Sequence, residues 1–271
     1  MCNALKFPRS TYYKALVHVP SNRQIECEKF SEKVKAKFYE CKQRYGAVKL
    51  QKALENDGIK CSAKRVQRHM KKLGLRCVIM KKYKPHIHKS IIPEKENLLN
   101  RDFKAEGLNQ KWCTDITYIH VLNEGWTYLA SVMDLYSRKI IGYAYGKSIT
   151  TELALQAVKN ACLNVKNVTG ILLHSDLGAQ YTSQLFEDYL RANKIIHSFS
   201  RKGNPYDNAC IESFHSVLKK EEIYLHTYQD FKEAEKAIFE YIESWYNRIR
   251  IHSSINYMTP QQKEDEALKI A

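Results

Sequence analysis

The chain has 271 residues, room for one large domain and one small one, and 44% hydrophobic content supports a packed core rather than disorder. No apolar run approaches the roughly 18 residues that span a bilayer, and Met1 to Leu16 lacks the apolar stretch of a signal peptide, so the cytoplasm is the expected compartment. The formal net charge of +15 points to a polyanionic partner.

That charge is unevenly placed. Residues 1–100 hold 24 Lys and Arg against 8 Asp and Glu, leaving +16; residues 101–271 hold 20 against 21, leaving −1. A basic module joined to a near-neutral globular one is the simplest arrangement. The eight cysteines form no CxxC pair, which argues against a zinc site and a disulfide framework.

In chain order, residues 21–44 place Ile25, Phe30, Val34 and Phe38 at near-helical spacing, and Tyr45-Gly46 ends that run. A short helix over 47–56 stops at the turn signal Asp57-Gly58. Ser62 is suited to cap a third helix, with Val66, Met70 and Leu73 on one face and Lys64, Arg65, Arg68, His69, Lys71 and Lys72 on the others. Helix, turn and basic helix form the shape of a major-groove reader. Residues 1–80 are thus expected to bind DNA, and residues 81–100, broken by Pro85 and Pro93, to form a linker.

From residue 111 the pattern turns to strands over 112–119, 126–133 and 140–145, with Asn123-Glu124-Gly125 as a hairpin turn. Helix over 151–164, strand over 171–174, helix over 183–193, strand over 195–199 and helices over 208–222 and 231–248 follow. The pattern gives an α/β core, taken to run over 101–262, with 263–271 as a C-terminal tail.

Three acids stand out: Asp115 inside a strand, Asp176 just past one, and Glu212 on a helix. Each has an ordinary reading alone, as an edge-strand, turn or solvated-helix residue. Together they form an all-oxygen donor set suited to hard divalent cations, and a pair of such ions can drive phosphoryl transfer.

The segments around these acids read WCTDITYI, HSDLGAQYTS and NPYDNACIESFHSVLKKE, followed by Tyr246-Asn247-Arg248, Arg250, His252 and Tyr257-Met258-Thr259-Pro260. Across nearly its whole length the chain resembles the OrfB proteins of the bacterial insertion-sequence-three family, which carry the DDE motif of retroviral-integrase-like transposases. The resemblance implies a ribonuclease H-like core, a mixed five-stranded sheet with flanking helices, behind a small all-α helix-turn-helix-like domain. It implies a DDE transposase that cleaves and joins DNA strands, with Asp115, Asp176 and Glu212 holding two Mg²⁺ or Mn²⁺ ions. Lys219 is then expected at the terminal DNA, Arg248 and Arg250 at DNA beside it, His174 in orienting the site, and Asn204 and Asn208 in shaping the loop before the Glu212 helix. Insertion-sequence end DNA, target DNA, further copies of the chain in a DNA complex, and an OrfA product or fusion are the implied partners. A plain metal-dependent nuclease and a catalytically idle DNA-binding regulator are the alternatives; neither needs the full set of motifs.

Overall fold

The structure, a computed structural model, describes residues 8–17, 20–79, 96–201 and 205–270. The chain divides into two compact units, Met1–Met80 and Lys81–Ala271. Asn204 and most of the expected linker lie outside the described residues.

In the first unit, α1 (Arg9–Leu16) precedes α2 (Asn22–Glu40), α3 (Ala47–Asn56) and α4 (Ala63–Lys72). Ser21 and Gln24 cap α2 reciprocally, and the Ser62 hydroxyl accepts from Arg65 N at the start of α4. Phe30, Val34 and Phe38 bury one stripe of α2 with Leu50 and Leu54 of α3 and Val66 and Met70 of α4. α1 has no counterpart in the sequence expectations.

The second unit is built on a five-stranded sheet in the order β3-β2-β1-β4-β5. β1 (Lys111–Val121), β2 (Gly125–Asp134) and β3 (Ile140–Gly146) form an antiparallel meander; β4 (Leu172–Ser175) and β5 (Ile196–Phe199) add in parallel. Gly125 has φ +74°, the conformation that the hairpin turn needs and that a side chain would strain. α5 (Thr151–Leu163) and α6 (Gln184–Ala192) cover one face through Ala154, Ala157, Val158, Ala161, Phe186 and Leu190, packed on Trp112, Ala130, Val132 and Leu173. Close approach is required there: a Cβ on Gly142 of β3 would lie 2.4 Å from the backbone nitrogen of Ala161. α7 (Ala209–Glu221) packs on β1 and β2 and buries Ile211, Phe214 and Leu218.

Two expectations need correction. The long helix over 231–248 is α8 (Phe231–Glu240) followed by a π-helical turn, Tyr241–Tyr246. The expected tail over 263–271 is largely α9 (Pro260–Ile270). Thr259 and Gln262 cap α9 reciprocally, at 2.9 and 3.1 Å, with Pro260 at its first position, and Glu264 pairs with Lys139 just before β3.

Candidate active site

The parallel pairing of β1 with β4 is short. Lys111, Trp112 and Cys113 face Leu172, Leu173 and His174, and there the ladder ends. Two residues further along each strand come Asp115 and Asp176. The register therefore brings these carboxylates side by side where the two strands part, with neighbouring strands about 4.8 Å apart.

Asp115 is fixed from two directions. Its Oδ1 accepts from Ile116 N at 2.8 Å, and its Oδ2 lies 3.4 Å from His215 Nδ1. The other ring nitrogen of His215 lies 3.4 Å from the hydroxyl of Ser131, the residue paired with Asp115 across the β1–β2 ladder. His215 was missed by the sequence reading; its place three residues after Glu212, on the same helix face, is the signal that would have found it.

Asp176 turns back on itself. Its Oδ1 accepts from Gly178 N at 2.9 Å, and a Cβ on Gly178 would lie 2.9 Å from that oxygen and 2.6 Å from Gln180 Oε1. Beneath the fork, Tyr181 is buried with its hydroxyl 3.2 Å from that of Thr114.

Glu212 arrives on α7. The amide of Asn208, just before the helix, donates to Thr114 O at 3.2 Å, which ties the helix start to the strand residue adjoining Asp115. The neighbouring Asp207 reads from sequence as a helix-dipole residue, yet it is a buried hub held by Arg101, Arg201 and Asn97 at 2.7, 2.9 and 2.9 Å. Burial alone would raise its pKa, but the bonds from Arg201 and Arg101 outweigh that and hold it at about 2.

The three acids feel one another. Loss of hydration, then the charge of Asp115, pushes Asp176 up to about 6. Loss of hydration, then the charges of Asp115 and Asp176, pushes Glu212 up to about 7. Asp176 and Glu212 both keep exposed surface, so solvent screens part of this repulsion. Among the described residues no three acidic, histidine or cysteine side chains converge into a ready cage for one ion. Mg²⁺ does not require such a cage: it retains several waters and takes one or two carboxylates, and three carboxylates can serve two ions on those terms. The donor chemistry and its excess negative charge fit hard divalent cations.

Among the other expected residues, Lys219 lies on α7 with its ammonium 4.3 Å from the centre of the Tyr118 ring; burial lowers its pKa against the pull of Asp115. Lys219 thus shares the neighbourhood of Asp115. His174 is fully buried between the hydroxyls of Ser198 and Ser200, each at 2.9 Å, and burial brings it down to about 4. It pins β4 to β5 as a neutral ring two residues before Asp176. Arg248 is exposed. Arg250 is not at the surface: it is buried and pairs with Glu221 of α7 at 3.1 Å, so its guanidinium faces the interior rather than DNA. In the first unit Lys64, Arg68, Lys71 and Lys72 are exposed on α4, whereas Arg65 is half-buried, paired with Glu26 at 2.8 Å and stacked over Phe30.

Comparison with known proteins agrees with this architecture. Residues 105–205 and 193–260 match two family models described as integrase core domains, and residues 26–83 match one described as an HTH-like domain. The transposase for insertion sequence element IS904 of Lactococcus lactis is 42% identical over 246 residues, covering 90% of this chain and 97% of that protein. The transposase InsF for insertion sequence IS3A of Escherichia coli is 36% identical over 272 residues, covering 99% and 94%. The catalytic core domain of HTLV-2 integrase in complex with magnesium aligns at a TM-score of 0.44 and 18% identity, over 59% of this chain and 99% of that one. With identities of this size over nearly the full length of both bacterial proteins, the chain belongs to the IS3 family of insertion-sequence transposases, enzymes of the polynucleotidyl-transferase type built on an integrase core.

Proposed function

We propose that Asp115, Asp176 and Glu212 are the catalytic carboxylates of this transposase and that they hold two Mg²⁺ or Mn²⁺ ions. The observation that carries the reading is the electrostatics of the strand fork. Three acids from a strand, a strand end and a helix are brought together, and loss of hydration, then the charge of their neighbours, raises Asp176 to about 6 and Glu212 to about 7, an arrangement that favours divalent cations at neutral pH. When bound, such ions supply positive charge to the scissile phosphate and help to activate the attacking oxygen.

The chain's own residues supply position. Ile116 N and His215 fix Asp115, Gly178 N fixes Asp176, and Asn208 anchors the helix that carries Glu212. The same carboxylates serve two in-line displacements: water cleaves at the element end, and the freed 3′-hydroxyl then attacks a target phosphodiester. Lys64, Arg68, Lys71 and Lys72, with part of Arg65, form a DNA-contacting face in a domain of residues 1–80; Lys219 and Arg248 contact DNA from the core, which begins near residue 101. End DNA, target DNA, further copies of this chain and an OrfA product or fusion are the partners, in the bacterial cytoplasm.

A cleavage and joining assay on duplexes carrying the element's own ends, with Mg²⁺ or Mn²⁺, tests this reading. Asp115→Asn, Asp176→Asn and Glu212→Gln should each lose both steps and keep DNA binding. Near-normal cleavage by any of the three removes that residue from the site, and robust cleavage in excess chelator defeats the two-ion mechanism.

A further inference from the structure

A second feature lies on the same unit, beyond the carboxylates. Tyr118 of β1, Trp126 of β2 and Tyr224, just after α7, are 58%, 55% and 71% exposed. With His120, His226 and Lys219 they surround an open cavity of about 310 Å³, near the lower end of the range for small-ligand sites. The rings are arranged rather than scattered. Tyr118 and His120 each meet Trp126 edge to face, at 5.4 and 5.2 Å between centroids, and the Lys219 ammonium lies over the Tyr118 ring at 4.3 Å. The backbone holds the wall in place: Leu122 N and Asn123 N donate to Tyr228 O and Gln229 O, which fastens the hairpin tip to the chain that follows Tyr224.

The chemistry of the lining selects its occupant. Large aromatic faces beside one ammonium suit a flat, electron-rich ring joined to a phosphate. A protein partner would meet a patch whose lining includes a cation, and Lys219 also belongs to the neighbourhood of Asp115. Tyr118 is three residues beyond Asp115 on β1, about 10 Å along the strand with its side chain on the alternate face, and Lys219, seven beyond Glu212 and about 10 Å along α7, links the two by holding its ammonium over the Tyr118 ring. At about 3.4 Å per nucleotide along a stacked strand, that is roughly three nucleotides.

We infer that the cavity lined by Tyr118, Trp126, Tyr224 and Lys219 receives an unstacked nucleobase of the DNA end, within roughly three nucleotides of the phosphate held at the carboxylate fork. The inference rests on the assignment of the fork as the catalytic site. Stacking of the base on these rings holds the strand end open and fixes its register, while Lys219 meets the adjoining phosphate. Base–aromatic stacking tolerates any base, so the cavity positions the end without reading its sequence.

The test uses the full-length protein and duplexes of its own element end, intact or abasic at one of the three positions on either side of the cleaved bond. Trp126→Ala should slow cleavage of the intact end by roughly tenfold, and Trp126→Phe should restore most of the rate. At one position the abasic duplex should be cut at the same rate by Trp126→Ala and by the unaltered protein, because no base remains to be held. Tyr224→Ala, at the most exposed ring, should show the same coupling at the same position and guards against a folding defect in the tryptophan variant. If both variants slow all six abasic duplexes by the factor seen with the intact end, or slow none of the duplexes, the inference is overturned. A change of sedimentation on Trp126→Ala without position-specific coupling assigns the rings to contact between copies and also overturns it. Failure of the fork assignment is visible separately, as cleavage that survives Asp115→Asn.

Discussion

One helix carries two glutamates with opposite fates. Glu221, at the C-terminal end of α7, is 1% exposed and accepts from Tyr241 Oη at 3.0 Å, Trp245 Nε1 at 2.9 Å and Arg250 Nε at 3.1 Å. Glu212, nine residues earlier, stands beside two other acids, and among the described residues none donates a hydrogen bond to it. The first carboxylate is satisfied by the protein. The second is satisfied by none of the described residues and is repelled by its neighbours. A charge with its partners built in belongs to the fold; a charge grouped with like charges at an opening calls for something from outside.

The contrast can be broken at its functional end. Glu212→Gln should lower strand cleavage by about 10³-fold or more, since a site that loses an ion ligand forfeits several kcal/mol of transition-state stabilisation. Its folding stability should stay unchanged or rise. A clear loss of stability, read by urea unfolding, would place Glu212 in the same class as Glu221.

At the structural end, Glu221→Ala should destabilise the core by about 3–5 kcal/mol, because it leaves Arg250 charged and buried without its partner. The double variant Glu221→Gln/Arg250→Met should recover much of that loss. If Glu221→Ala unfolds at the same urea concentration as the unaltered chain, the pair is not a structural one.

His215→Ala probes the support of the site. It removes the ring that joins Asp115 to Ser131, and an outer ligand partner of this kind contributes about 10–100-fold to activity or ion affinity. Cleavage should fall by that factor and recover in part at high Mn²⁺. Loss as deep as that of Asp115→Asn would make His215 a direct participant.

The smallest effect is one of pH. The folded pKa of Glu212 lies above its ordinary 4.5, at about 7, so the folded protein holds this proton more tightly than the unfolded chain does. Its contribution to stability is therefore fullest below pH 4.5 and is lost as pH rises towards 7. In chelator, the melting temperature of Glu212→Gln relative to the unaltered protein should climb across that window, by a few degrees at most given the exposure of the side chain. Saturating Mg²⁺ should reverse the order above pH 7. A flat difference in chelator means the repulsion is relieved inside the protein.

Much of this was legible in sequence, for local reasons. The hairpin followed from β-branched and aromatic runs around a turn ending at Gly125, and α4 followed from Ser62 and the spacing of Val66 and Met70. The three candidate acids stood out because they lie in distinct motifs. What stayed hidden depends on distant partners. Arg250 reads as a DNA contact until Glu221, twenty-nine residues before it, covers it; Asp207 reads as a helix-dipole residue until Arg101 closes on it from 106 residues away. α9 was hidden differently: its capping signal, Thr259 to Gln262 with Pro260 between, stands in the sequence, but its charged, weakly periodic face resembles a tail.

The short register between β1 and β4 also limits how the gene can vary. Side chains alternate between the two faces of a strand, so removing one residue between Cys113 and Asp115, or between His174 and Asp176, would turn a carboxylate to the opposite face of the sheet. Removing two, that residue and the one before it, would restore the face and shorten the reach by one pleat. Length changes should be purged from these few positions by parity, while the hairpin tip at Leu122–Glu124, outside both intervals, carries no such rule. A deletion scan through β1 and β4, scored by transposition, would read this as an odd–even alternation rather than a steady decline.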